Sequence, residues 1–387
     1  MLHGHGTKRK SGKTLPQDKP SICFAYPGEL KTATGGYAYA RRIMQALVEQ
    51  GWSVQPLALG DGFPSPTPST CKQAQSLLMQ VPDDHLLVID GLALGVLPQA
   101  AQQLHQMGHP FTALVHHPLA REAGVSPDQA QRLHRSEYDA LQFASGVIVT
   151  SDETARTVSN DFGIPPHLIT VANPGTDRPA PIHVATGKIY ETQKAPLRLL
   201  SVGALVTRKG FDILIKALAP LTDLNWHLDI VGDDARDLST SENIKALILN
   251  YKLQDRVHCT GAVDQSVLLH YFAHADIFVL ASHYEGYGMA FAEALAAGLP
   301  IVGTTGGAIP HTVPPSAGIL VEPGNINALT QVLKQLLSND LLRQQLKLGA
   351  QHCANQLPSW DQSAVIFAQS LVVNHNQTTH LAQDHKL

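Results

Sequence analysis

The chain has 387 residues, 44% hydrophobic and 16% charged, enough apolar material for two domains of roughly 150–200 residues. A formal net charge of -4 leaves no basic footprint for nucleic acid. No stretch approaches the roughly 18 uninterrupted apolar residues of a membrane-spanning helix.

The polar, basic leader, residues 1–19, lacks the apolar stretch of a secretory signal and reads as disordered. Strand and helix patterns then alternate. "SICFAYP" (21–27) reads as a strand ending in a turn, and "GGYAYARRIMQALVEQGW" (35–52) as a helix with apolar positions at Ala38, Ile43, Ala46 and Leu47. "SVQPLAL" resumes a strand. "HLLVIDG" (85–91), "FTALVHHP" (111–118), "SGVIVTSD" (145–152) and "ITVANPG" (169–175) follow, with residues 61–72 a Pro/Ser/Thr-rich loop. Strands separated by helices predict right-handed βαβ units and a parallel sheet.

Residues 179–195 break the pattern and are the expected linker between a first domain at 20–178 and a second at 196–357. The alternation restarts with strands at 197–203, 226–232, 256–261, 275–282, 300–305 and 317–323. The fold class is therefore α/β, with two doubly wound parallel-sheet domains. Each places its ligand-facing loops at the carboxyl ends of its strands, and two such edges facing one another make a cleft. A last helix, 358–373, is expected to cross back to the first domain, and residues 374–387 to form a disordered tail.

Cys23, Cys71, Cys259 and Cys353 have no close pairing, which argues against a zinc or disulfide framework and for a reducing, cytoplasmic setting. His105/His109 and His270/His274 have helical H-x-x-x-H spacing without an evident third ligand, so no metal is expected.

"EGYGMAFAEALAAGLP" (285–300) holds two carboxylates, Glu285 and Glu293. Gly286, Tyr287 and Gly288 form a turn that opens a helix, presenting free backbone N–H groups and the positive end of the helix dipole to a diphosphate. Glu293 lies roughly 7–8 Å further along the axis, about the reach from phosphate to ribose. Its neighbours Phe291, Ala292, Ala294 and Leu295 are apolar, so the carboxylate needs a partner: a ligand, or a structural salt bridge. Arg208 and Lys209 in "TRKGFD" (207–212) can neutralise a leaving diphosphate.

The ordered series "SVGALVTRKGFDILIKAL", "LDIVGDD", "VHCTGAVDQSVLLHYFAHADIFVLASHYEGYGMAFAEALAAGLPIVGTTGGAIPHTV" and "AGILVEPGNINAL" resembles the retaining GT-B glycosyltransferases of family 4, the glycosyl transferases group 1. The likeness spans roughly residues 20–373 and is strongest from Leu197 to Leu336; "TGGYAYA", "VHHPLAREAG" and "NPGTD" are looser matches in the first domain. The resemblance implies that Glu293 binds the ribose, that Glu285 contacts the transferred sugar, and that Gly35-Gly36 approach the donor phosphate or the acceptor. It also implies that His116 lies near the reacting carbon.

His117 is expected to be structural. Arg121 and Glu122 are expected to be a solvated helix face, though they could line the acceptor side. Asp90-Gly91 is either a turn or a cleft group. Ala204 stands where the family often has arginine, and His311 where it often has glutamate.

The implied activity is metal-independent transfer of a hexose, with retention, from a nucleotide-diphosphate sugar to a hydroxyl, with no cofactor beyond the donor. UDP-glucose is expected from family frequency. The acceptor is open among glycans, lipid-linked and small molecules. A cytoplasmic enzyme, free or peripheral to a membrane, fits the absence of a basic amphipathic face. The alternatives are a GT-B epimerase or phosphorylase, or a non-catalytic nucleotide-sugar-binding protein. A nicotinamide dehydrogenase would need G-x-G-x-x-G after its first strand, where the chain has "AYPGEL" and "SVGALV".

Overall fold

A computed structural model describes residues 19–32, 34–121, 125–177 and 195–384. The expected leader (apart from Lys19), Glu122 and nearly all of the expected linker lie outside the described residues. Two six-stranded sheets account for all twelve expected strands. The first contains β1 (Ile22–Tyr26), β2 (Val54–Ala58), β3 (Leu86–Asp90), β4 (Phe111–Val115), β5 (Gly146–Val149) and β6 (Ile169–Val171) in the order β2-β1-β3-β4-β5-β6. The second contains β7 (Leu197–Val202), β8 (Trp226–Val231), β9 (Val257–Gly261), β10 (Ile277–Val279), β11 (Ile301–Thr304) and β12 (Gly318–Val321) in the order β12-β11-β10-β7-β8-β9. The described pairings are parallel.

Parallel sheets need both faces covered, and successive residues point to opposite faces. The first sheet follows this rule. Cys23, Ala25, Leu87, Ile89, Ala113 and Val115 enter one core, and Ile22, Phe24, Leu86, Val88, Leu114 and Ile148 enter another. The second core is closed by helix Gly35–Glu49 and by the last helix of the chain, through Trp360, Ala364, Phe367, Ala368 and Leu371. Phe367 stacks on Phe24 with ring centroids 6.0 Å apart. The chain therefore does return from the second domain to the first. The crossing is tied by Thr176 N–H donating to the Pro358 carbonyl at 3.0 Å and the Ser363 hydroxyl donating to the Asn173 carbonyl at 2.6 Å.

The expected disordered tail is corrected for residues 374–384. The last helix runs over Trp360–Asp384. Asn374 is buried, and its amide donates to Thr112 Oγ1 at 3.1 Å and Ser370 Oγ at 3.3 Å. The polar composition is misleading because this turn meets the first sheet at a strand that itself carries a buried threonine. A polar pair there gives no apolar periodicity.

In each sheet the strand order reverses beside the first strand of its domain: between β1 and β3, and between β7 and β10. Loops diverge at such points and leave a crevice at the carboxyl ends. Lys209 follows β7 and Glu285 follows β10, so topology alone brings them to one crevice.

Candidate functional site

The carboxylate of Glu285 is buried and accepts from three donors. Lys209 Nζ lies 2.7 Å from Oε1, the Ser282 hydroxyl donates to Oε1 at 2.6 Å, and Arg208 Nη1 lies 3.2 Å from Oε2. Arg208 Nη1 also donates to the Tyr284 carbonyl at 2.5 Å. Burial alone would raise the Glu285 pKa, but the charges of Lys209 and Arg208 and the hydrogen bonds outweigh it and hold it at about 2. Burial pulls Lys209 below its ordinary value, opposed by Glu285. The cluster carries two cations against one anion, leaving positive charge at the strand ends. Arg208 thus brings its guanidinium to this carboxylate, while Ala204, after Gly203, carries none.

The glutamate loop is held from behind. The Ala308 N–H donates to the Glu285 carbonyl at 2.8 Å, and Glu285 pairs with Gly307 in an isolated bridge. The second glycine-rich strand end, "TTGG", therefore supports the backbone of Glu285.

Gly288 caps helix Met289–Ala296 with φ 87°, and no side chain caps that end. A side-chain-bearing residue would be strained there. The expected turn and open helix start are present. Glu293 is half-buried between fully buried Ala292 and Ala294. Among the described residues no donor engages its carboxylate. Burial, then the nearby Asp177 carboxylate, push its pKa up to about 7, against the pull of Lys209. The salt-bridge reading of Glu293 finds no partner among the described residues.

The first domain meets this crevice through His116, His117 and the start of helix Gly35–Glu49. His116 Nε2 lies 3.5 Å from Asp90 Oδ2, and its ring packs edge-on to Tyr39 at 5.3 Å. Asp90 Oδ1 in turn accepts from the Leu92 N–H at 2.9 Å, which fixes the carboxylate beside the His116 ring; Asp90 is both a turn residue and a charged neighbour of His116. Gly36 lies against the His116 ring and Gly35 against Met289 of the glutamate helix. The two glycines begin a helix, capped by Thr34, rather than form a separate turn.

Gly286 sits so close to the His116 carbonyl that a β-carbon would collide with it. Its own carbonyl accepts from the Ser151 hydroxyl at 2.5 Å and from Thr154 Oγ1 at 3.3 Å. Gly286 is thus one point where the two domains touch. The Tyr287 carbonyl accepts from Thr312 Oγ1 at 2.6 Å. His117 lies beside Tyr284 with ring centroids 6.3 Å apart, and the Arg121 guanidinium lies over the same tyrosine at 5.7 Å. His311 Nε2 is 3.1 Å from Arg156 Nη1 and 3.5 Å from Glu153 Oε2, a second contact between domains.

Residues 187–352 match the family described as glycosyl transferases group 1. Together with the fold, this match supports reading the chain as a GT-B glycosyltransferase. The chain is similar to the MMP alpha-(1->4)-mannosyltransferase of Mycolicibacterium hassiacum, 27% identical over 338 residues, which span 83% of this chain and 77% of that protein. It is also similar to the mannosylfructose-phosphate synthase of Agrobacterium fabrum, 28% identical over 55% of this chain and 50% of that one. Among solved structures, the sucrose-phosphate synthase from Thermosynechococcus elongatus superposes with a TM-score of 0.74 at 21% identity, covering 90% of this chain and 98% of that one. Anabaena Alr3699/HepE in complex with UDP and glucose gives 0.69 at 19% identity, covering 91% and 100%. These structural likenesses establish the GT-B fold.

The structure gathers Arg208, Lys209 and Glu285 into one cluster and puts His116, Gly35 and Gly36 around one histidine ring. Ser282, Ser151 and Thr154 went unnoticed in the sequence. Ser282 stands three residues before Glu285 inside an otherwise apolar strand end, "VLASHYE", the one signal that could have singled it out. Ser151 and Thr154 read as an ordinary helix cap, and only the packing of the two domains shows their second role.

Proposed function

We propose that the enzyme transfers a hexose from a nucleotide-diphosphate sugar to an acceptor hydroxyl with retention at the anomeric carbon, as a member of family 4. The observation that carries this reading is the contrast between the two glutamates. Glu285, in the loop after β10, is fully paired, and Glu293, in the helix that follows, has no donor among the described residues. A half-buried carboxylate without a partner costs free energy that two vicinal ribose hydroxyls would recover.

UDP-glucose is the proposed donor, supported by the UDP and UDP-glucose complexes of the structural neighbour Alr3699/HepE. The diphosphate sits at the open N-terminus of helix Met289–Ala296, with Arg208 and Lys209 beside it. As the bond from the anomeric carbon to the phosphate oxygen breaks, its electron pair leaves with the phosphate, and these cations stabilise that charge. The acceptor oxygen bonds to the same face of the anomeric carbon, and its proton passes to the departing phosphate oxygen. The cations and helix end serve the role a metal would otherwise fill, and no cofactor beyond the donor is required. His116, beside Asp90, faces the sugar from the first domain.

The acceptor is a hydroxyl compound bound mainly by the first domain. A cytoplasmic setting is supported by four free thiols, and no described helix is long and apolar enough to cross a membrane.

The deciding experiment is NMR analysis of the anomer released from UDP-glucose, in wild type and in Lys209→Ala and Glu293→Ala. Retained configuration with loss of turnover or donor affinity in the variants is the expected result. An inverted product, or wild-type kinetics in both variants, removes the assignment.

A further inference from the structure

A second cluster lies away from the crevice. His227 and Asp229 are two apart on β8, so they share one face of the sheet, while Trp226, Leu228 and Ile230 point into the core on the other. Asp229 pairs in register with His258 of β9, the edge strand. One ligand atom from each of the three lies within 4.8 Å of the others. His227 Nε2 is 3.4 Å from Asp229 Oδ1, and the two imidazoles meet edge to face with centroids 5.0 Å apart.

The chemistry of this set is specific. Two imidazoles and one carboxylate suit a borderline divalent ion such as zinc. A metal about 2.1 Å from each ligand requires ligand atoms about 3.4 Å apart in a tetrahedron, and the His227–Asp229 separation already has that value. His258, whose side chain is exposed, has its ligand atom within 4.8 Å of the other two, so a small rotation completes the set. The exposed side of the cluster leaves a fourth position for water. We infer that His227, Asp229 and His258 form a divalent metal site of the zinc class that clips edge strand β9 to β8.

The site is structural rather than part of the transfer reaction. His227 is four residues from the carboxyl end of β8, about 13 Å by strand rise, and the crevice lies beyond that end. Arg198, opposite His227 in β7, lies on the same face; a metal-free ion-paired cluster is therefore the competing arrangement. The three ligands also explain why spacing along the chain gave no metal signature: the third comes from the neighbouring strand, 29 residues after Asp229 in a chain rich in scattered histidine.

The experiment uses the full chain, stripped with chelator and titrated with zinc, then with cobalt as a spectroscopic probe. The expected result is one equivalent bound, the intense visible absorption of tetrahedral cobalt, and a rise in Tm of about 3 °C at a hundredfold excess over Kd. His258→Ala, on the exposed side, and Asp229→Asn lose the binding and the shift while keeping transferase turnover. His270→Ala, which alters the other close histidine pair, keeps both. Absence of stoichiometric binding overturns the inference, as does binding that survives His258→Ala or disappears with His270→Ala.

Discussion

Lys209 Nζ and Glu285 Oε1 meet at 2.7 Å, contributed by the loops after β7 and β10, the adjacent strands at which the second sheet reverses its order. The pair is buried and shares its carboxylate with Arg208 and Ser282. Lys209→Ala therefore removes a leaving-group cation and a buried charge partner together. Turnover should fall by about 10²–10³-fold, and chemical denaturation should register a loss of stability below the about 3–5 kcal/mol of an isolated broken pair, because Arg208 stays with Glu285. Steady-state kinetics with denaturation curves separate the two effects.

Glu293 titrates near 7 in the unliganded protein, above its ordinary 4.5. Between these values the folded state binds more protons than the unfolded state, so stability falls as pH rises from about 4.5 to about 7 and then levels. Glu293→Gln should flatten that part of the profile. Nucleotide binding through ribose hydroxyls favours the ionised form, so UDP should bind more tightly as pH rises through about 7, with proton release in the wild type. Calorimetry in buffers of different ionisation enthalpy measures the released proton. Its absence in wild type, or its persistence in Glu293→Gln, contradicts the ribose role.

Gly286→Ala should be worse than its size suggests. A methyl group there meets the His116 carbonyl, so the domains must separate locally. A drop in kcat/KM of at least about tenfold, or about 1.4 kcal/mol, is expected, with a larger radius of gyration by small-angle scattering. Ser151→Ala, which loses the hydrogen bond to the Gly286 carbonyl and the cap on the Thr154 N–H, should cost about 1–3 kcal/mol and leave the radius unchanged.

Deleting residues 374–387 should be destabilising rather than neutral. It removes the Asn374 hydrogen bond to Thr112, leaving a buried hydroxyl at a cost of about 1–3 kcal/mol. Phe367→Ala, which opens the stack on Phe24, should cost about 3–5 kcal/mol. Differential scanning calorimetry of the three proteins ranks them.

Much of the second domain was legible because its chemistry sits at the ends of strands, β7 and β10, that are neighbours in the sheet. Gly288, Glu293 and the "TRKG" stretch carry backbone or charge requirements that composition cannot hide. Strand alternation revealed both sheets for the same reason: residues such as Leu87 and Val88 alternate between two buried faces. What escaped were relationships across long separations. The Ser151–Gly286 contact joins residues 135 apart, and the Asp90–His116 pair depends on β3 and β4 lying side by side. The helix beyond 373 escaped because its anchor, Asn374, is polar.

The return of Trp360–Leu371 to the first sheet orders the birth of the protein. One face of that sheet is finished by residues made after the whole second domain, so the first domain emerges from the ribosome with that face covered by helix Gly35–Glu49 alone. Domains ordinarily fold in the order they are made; here one face of the first is completed only after the second has been made.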